Sequence, residues 1–87
     1  MMTIYKFYLK LEGEQVIKIQ ANHEILSVGE QFGDLYLWVL VNPDEKLVDK
    51  KIFIYGTGHL MEKDVTKNRY LGTVITEGGN LVWHIFE

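Results

Sequence analysis

The 87-residue sequence contains no cysteine, which excludes a disulfide framework, a thiolate nucleophile and a cysteine-based zinc site. It also lacks an excess of positive charge, because nine Lys and Arg face twelve Asp and Glu and the formal net charge is -3. A negative balance does not attract a polyanion, so we expect no DNA or RNA partner. No apolar run approaches the roughly 20 residues of a membrane helix, so no membrane segment is predicted.

The N-terminal segment does not resemble a targeting signal. Residues 1–11 alternate polar and apolar side chains and include Lys6 and Lys10, whereas a signal peptide carries an uninterrupted apolar stretch. The expected location is therefore the cytoplasm. The apolar share of 47% is typical of a globular chain, and the length predicts a single domain over residues 1–87.

The pattern of side chains predicts an all-β fold, a small up-and-down antiparallel barrel or sandwich of about seven strands. Apolar residues alternate with polar ones in several short segments separated by turn residues. The segments 3–11 and 16–20 are expected to form a first hairpin through a turn at 12–15, and the segments 70–76 and 81–86 a last hairpin through two glycines. The other predicted strands are 24–31, 35–41 and 51–55. A polar loop is expected at 43–50 and one irregular excursion at 60–69, after the fifth strand.

The segment 35–41 is the most apolar part of the chain. Its seven consecutive apolar or aromatic residues predict a strand without a solvent face. Leu35, Leu37, Val39 and Val41 form one face and Tyr36, Trp38 and Leu40 the other, and the pattern does not say which face is the core. A small domain covers one face with its own core, and the second face needs cover from a curled sheet, a second subunit or a ligand. Of these we expect a second subunit, and thus a homo-oligomer.

The sharpest local motif is Gly56-Thr57-Gly58-His59, at the end of a predicted strand. Two glycines in three positions let a backbone turn its amides outward into an anion-binding concavity, so a phosphate is one expected occupant. The other interpretation is a tight turn. The dinucleotide and Walker A fingerprints are both unmet.

Other side chains extend this candidate ligand site. Arg69, the only arginine, lies beside Tyr70, and a guanidinium next to an aromatic ring suits phosphate contact and base stacking; pairing with Asp64 at the surface is the alternative. Trp38 and Tyr55 are further candidates for stacking on a base, although such aromatics also serve as core or subunit interface. The ligand-binding set is thus predicted to be Trp38, Tyr55, Gly56, Thr57, Gly58, His59, Arg69 and Tyr70.

Catalytic and metal chemistry find little support. The three histidines, His23, His59 and His84, lack metal-ligand spacing, and Ser27 lacks the sequence of a nucleophile elbow. We therefore expect no enzyme activity, no metal and no cofactor.

Two sequence blocks carry a resemblance to a known family. The block at residues 56–59 and the closing block Val82-Trp83-His84-Ile85-Phe86-Glu87 resemble those of small uncharacterised proteins from phages and prophages, with a domain of unknown function, and the likeness extends over nearly the whole chain. The resemblance implies a genomic context. Small phage proteins often counter host defences, by sequestering a nucleotide messenger or by occupying a host protein.

The residues and the resemblance together lead to two functional hypotheses. The first is a homo-oligomer that sequesters a small phosphorylated ligand, such as a cyclic nucleotide immune signal, in the host cytoplasm without catalysis. The second is a protein–protein inhibitor that docks on a host protein through its apolar strand or its acidic surface.

Overall fold

Antiparallel strands make up most of the chain. The computed structural model describes residues 1–11 and 13–87. Their strands are β1 (Thr3–Leu9), β2 (Glu14–Gln20), β3 (Glu24–Gln31), β4 (Asp34–Val41), β5 (Leu47–Gly56), β6 (Tyr70–Thr76) and β7 (Leu81–Phe86). A tight turn at Glu77–Gly79 joins β6 to β7, and all three of its residues have positive φ angles. Across these residues no helix has the length and hydrophobicity needed to cross a lipid bilayer. The predicted all-β class is confirmed.

The strands form two separate sheets. One sheet has three strands in the order β1-β4-β3, and the other has four in the order β2-β5-β7-β6. All neighbouring strands run antiparallel. Since the sheets do not close on each other, the architecture is a sandwich, one of the two predicted forms.

The predicted first hairpin is wrong, because its two arms belong to different sheets. β1 pairs with β4, with Phe7 opposite Leu37, and β2 pairs with β5. Alternation of side chains indicates which face of a strand is buried but not which strand lies beside it. Pairing with β4 places the inward side chains of β1 next to the most apolar strand of the chain. Glu12, in the predicted turn, lies outside the described residues.

The core lies between the two sheets. β4 contributes one whole face, with 0–1% of each side chain exposed, from Leu35, Leu37, Val39 and Val41. The four-stranded sheet supplies the opposing aliphatic side chains, which are Ile19, Ile52, Ile54, Val74 and Ile85. The face of β4 that the sequence pattern left undecided is therefore the one that begins with Leu35.

Of three further predicted segments, one is shorter than expected and two agree with the prediction. The polar loop expected at 43–50 is shorter than predicted, since β5 begins at Leu47. Asp49, which the prediction placed in the loop, lies on β5 and forms an ion pair with Lys18 of the neighbouring strand β2. The 60–69 segment is irregular, as expected. The last hairpin is also confirmed, with left-handed φ angles of 63° and 102° at Gly78 and Gly79.

One corner of the sandwich depends on a missing side chain. β6 lies beside β3 although the two strands belong to different sheets, and a Cβ built on Gly72 would lie 2.9 Å from Cγ1 of Val28. Gly72 has a φ of 155° and follows a break in the β6–β7 register. Only glycine combines this backbone conformation with so close an approach.

We predict that Gly72→Ala lowers the free energy of unfolding by about 1–3 kcal/mol, because the added methyl group overpacks the corner. Urea denaturation monitored by tryptophan fluorescence measures the change. Val28→Ala in the same chain removes the opposing methyl groups, so the double variant should be more stable than the sum of the single changes predicts. Strictly additive losses would contradict steric contact at this corner.

Candidate ligand-binding cleft

A cleft of about 480 Å³ opens at the end of the sandwich where β5 finishes. Three parts of the chain surround it: the segment that leads into β2, the last residues of β5 with β7 beside them, and the start of the 60–69 segment. The volume lies in the range of small-molecule sites. Its lining residues are Leu11, Gly13, Glu14, Ile54, Tyr55, His59, Leu60, Glu62, Lys63 and Trp83.

The glycine turn, residues 56–59, forms one wall of the cleft. The His59 amide donates to the Gly56 carbonyl at 3.1 Å, and Gly58 adopts a φ of 83° that favours glycine. Gly56 has a different role. A Cβ there would lie 2.7 Å from Cε1 of His59, so the missing side chain lets the imidazole ring lie directly against the backbone.

His59 stands between two recesses. Its ring meets Trp83 edge to face, with centroids 6.3 Å apart and an interplanar angle of 73°. Behind this pair lies a second recess of about 140 Å³, which Gly56, Thr57, Asn80, Leu81 and Val82 line together with the two rings. The pair therefore borders both recesses.

Two amides of the glycine turn are already hydrogen-bonded within the chain. The Thr57 amide donates to the Val82 carbonyl at 3.1 Å, and the His59 amide is bonded within the turn. Charge in the cleft comes instead from side chains. Lys63 brings a positive charge, while Glu14 and Glu62 bring negative ones. Glu14 is partly balanced, because its Oε1 lies 3.8 Å from the Nζ atom of Lys51.

The 60–69 segment holds Tyr55 in place from the outer side of the four-stranded sheet. Val65, 8% exposed, packs with Phe53 and Tyr55, and Phe86 borders this second apolar cluster. Just before Val65, hydrogen bonds from Thr66, chiefly from its backbone amide, hold the pKa of Asp64 below its usual value. The segment is thus packed against the sheet despite its lack of regular structure.

His84 connects the glycine turn to the sheet. Its Nε2 lies 2.6 Å from the Thr57 hydroxyl, and its Nδ1 lies 2.9 Å from the Tyr70 hydroxyl, which in turn contacts Thr73. Both ring nitrogens thus have hydroxyl partners, so Thr57 and Tyr70 are fastened to β7. His84 lies on the outer face of β7, whereas the preceding residue, Trp83, packs against the core.

The structure brings together only part of the predicted ligand set. Tyr55 and His59 line the cleft, and Gly56 and Thr57 line the smaller recess. Arg69 does not line either one: its Nη1 lies 3.0 Å from Oε2 of Glu87, in place of the expected Asp64.

The remaining aromatic candidates are also outside the cleft. Tyr70 lies in the hydroxyl cluster around His84, edge to face with Phe86 at 5.0 Å. Trp38 lies on the outer face of the other sheet, where it is paired with Lys6 of β1.

The sequence was compared with protein families, curated proteins and solved structures. A family model described as Domain of unknown function (DUF7352) matches residues 1–87. The chain belongs to the DUF7352 family. Curated proteins and solved structures give no match. The family match confirms the expectation of an uncharacterised family that covers the chain.

Two residues of the DUF7352 cleft were missed by the sequence interpretation. Lys63 lies in a segment without periodicity, so no pattern places it near β5, and Trp83 was noted only as part of the closing block at residues 82–87. The alternation along β7 does place Trp83 and His84 on opposite faces. Within residues 1–11 and 13–87, no group of three His, Cys, Asp or Glu side chains is arranged to hold a metal ion.

We predict that Val65→Ala lowers the free energy of unfolding of the DUF7352 chain by about 1–2 kcal/mol, because it removes two buried methyl groups over Tyr55. Chemical denaturation gives the value, and amide hydrogen exchange should become faster in residues 60–69. Lys67→Ala, at an exposed position of the same segment, is the matched control and should leave both unchanged. Equal effects of the two substitutions would show that the segment does not pack on the sheet.

Proposed function

We propose that this DUF7352 chain binds and sequesters a small phosphorylated ligand, such as a nucleotide, without converting it. The observation that carries the proposal is the cleft in which Tyr55, His59 and Trp83 come together beside Lys63. The accessible rings of His59 and Trp83 supply stacking surface for a base, and Lys63 supplies a point charge for a phosphate. All of these side chains belong to one chain, so a single subunit provides the site.

The charges around the cleft narrow the ligand class. Lys63 attracts an anionic group, but Glu14 and Glu62 repel a second one. Carboxylates accept hydrogen bonds, which suits the amino groups of a base. This combination favours a ligand with one phosphate, such as a cyclic mononucleotide, over one with two, such as a cyclic dinucleotide.

The biological setting of the proposal follows from the resemblance to small phage and prophage proteins. In that setting the ligand is a nucleotide signal of host immunity, and the protein lowers its free concentration in the host cytoplasm. Self-association is part of the proposal, because the outer face of β4 carries Tyr36, Trp38 and Leu40, all of them half-buried rather than covered. A protein that sequesters a ligand binds it one to one, so this function requires high affinity and no turnover.

A second candidate function is inhibition of a host protein by docking. The same sheet favours it, because Ile4 and Tyr8 on its outer face are 55% and 54% exposed. Purification from host lysate separates the two functions. A co-purifying nucleotide supports sequestration of a ligand, and a host protein that co-purifies in stoichiometric amount supports inhibition by docking.

We predict that calorimetric titration detects binding of a cyclic mononucleotide, and that Lys63→Ala and His59→Ala each weaken it about 10-fold to 100-fold. The loss of a charge-assisted contact or of a stacking ring is expected to have an effect of this size. The titrations use a panel of cyclic mononucleotides, cyclic dinucleotides and inorganic phosphate.

Arg69→Ala is the matched control, because it also removes one positive charge but at the Glu87 ion pair outside the cleft. It should leave the affinity unchanged. An equal loss in Arg69→Ala and Lys63→Ala would place the ligand elsewhere. The absence of binding heat with every member of the panel at several temperatures would refute the proposed function.

A further inference from the structure

The outer face of the three-stranded sheet carries an apolar stripe along its middle strand. The register places three rows of side chains across the sheet: Ile4, Leu40 and Glu24 in the first, Lys6, Trp38 and Ser27 in the second, and Tyr8, Tyr36 and Gly29 in the third. We call this nine-residue surface the Trp38 face. Its central column, on β4, consists of Tyr36, Trp38 and Leu40.

The two outer faces of the sandwich differ in how far the chain covers their apolar side chains. On the four-stranded sheet, Val65 of the 60–69 segment covers Phe53 and Tyr55, which are each 8% exposed. On the Trp38 face, Ile4 and Tyr8 stay more than half exposed. An apolar face of this kind on a sheet is typical of a surface that another element covers.

Aromatic side chains pack against one another across the Trp38 face. A Cβ on Gly29 would lie 3.1 Å from Cζ3 of Trp38, so the indole ring occupies the space that a side chain on β3 would otherwise fill. Tyr36 lies next to it, with ring centroids 6.3 Å apart, and Tyr8 meets Tyr36 edge to face at 5.8 Å. These contacts join side chains of β1 and β4 into one continuous apolar surface that a facing layer can cover.

Two opposite charges mark the two ends of the stripe. The Lys6 ammonium lies 4.5 Å from the ring centroid of Tyr36 and donates to Gln31 Oε1 on β3 at 2.7 Å. Glu24, also on β3, lies beside Leu40 at the other end. Among the described residues neither charge has an ion-pair partner, so each is available to a partner molecule.

We propose that the Trp38 face binds a second copy of this chain, face to face, across a two-fold axis. The axis lies in the plane between the two sheets, at right angles to β4 and over Trp38. This axis makes the two β4 strands antiparallel, so the Tyr36 end of each copy meets the Leu40 end of the other. It also places β3 of one copy over β3 of the other. Because the Lys6 ammonium reaches across to Gln31 of β3 at the Tyr36 end, it then faces the Glu24 carboxylate at the Leu40 end of the other copy. Charge complementarity therefore selects this arrangement over one that brings like ends together.

The size of the face sets the strength of the dimer. Three strands spaced about 4.8 Å apart, each contributing about seven residues at about 3.3 Å, cover an area well below the roughly 800 Å² per partner of a standard interface. We expect a dissociation constant in the micromolar range and thus a dimer whose population rises with concentration. The inference rests on the self-association in the proposed function and not on its ligand.

Sedimentation equilibrium of the full chain without nucleotide, over about 1 μM to 1 mM, tests the interface. Wild type should pass from monomer to dimer, and Trp38→Ser should weaken the dimer at least about 10-fold. Ile75→Ser is the matched control, because Ile75 is 58% exposed but lies on β6 of the other sheet, and it should dimerise as wild type does. A wild-type monomer throughout, or a dimer lost only in Ile75→Ser, would overturn the inference.

A charge exchange tests the orientation even if Trp38→Ser does not fold. Lys6→Glu and Glu24→Lys should each weaken the dimer about 10-fold, and the double exchange should restore it to within about threefold. Failure of the double exchange to restore the dimer overturns the two-fold arrangement, as does a host protein that occupies the face of a monomeric chain. Calorimetry with a cyclic mononucleotide on Trp38→Ser separates this inference from the proposed function, because the cleft is on the other sheet.

Discussion

The burial of one face of β4 is the constraint on which the rest of the structure depends. Leu35, Leu37, Val39 and Val41 are almost fully enclosed, and among the strands of residues 1–11 and 13–87 no other contributes a complete face to the core. This strand needs hydrogen-bonding partners on both edges and an apolar layer above it. β1 and β3 supply the edges, and the four-stranded sheet supplies the layer. The positions of β1, of β3 and of the four-stranded sheet thus all satisfy a requirement of β4.

The cleft follows from the way the chain returns from that core. β5 is buried on both faces near its end, with Ile54 toward the other sheet and Tyr55 toward the 60–69 segment. The glycine turn follows directly and leads the chain from β5 into the 60–69 segment. His59 then lies back on Gly56, and the space between its ring, Trp83 and the 60–69 segment remains open. The same segment packs on the sheet through Val65 and lines the cleft through Leu60, Glu62 and Lys63.

Sequence patterns predicted the strands well and their partners poorly. The last hairpin was predictable because its turn is local and its glycines are required by the backbone. The first hairpin was not, because β1 and β2 are neighbours in sequence that separate into different sheets. For the candidate site, the local motif around Gly56 and His59 pointed to the end of the sandwich where the cleft opens. Arg69 and Trp38 were assigned to it by residue type alone, and residue type carries no information on distance.

The sequence by itself determined that this is a single all-β chain with about seven strands, a final glycine hairpin and one strand with two apolar faces, because these properties follow from side-chain period and turn chemistry. Only the tertiary structure decided which face of that strand is the core, which strands pair, and that Lys63 and Trp83 meet His59 while Arg69 meets Glu87. The physical reason is that strand pairing joins residues far apart in the chain. Its energy depends on the fit of whole faces, which no short segment encodes.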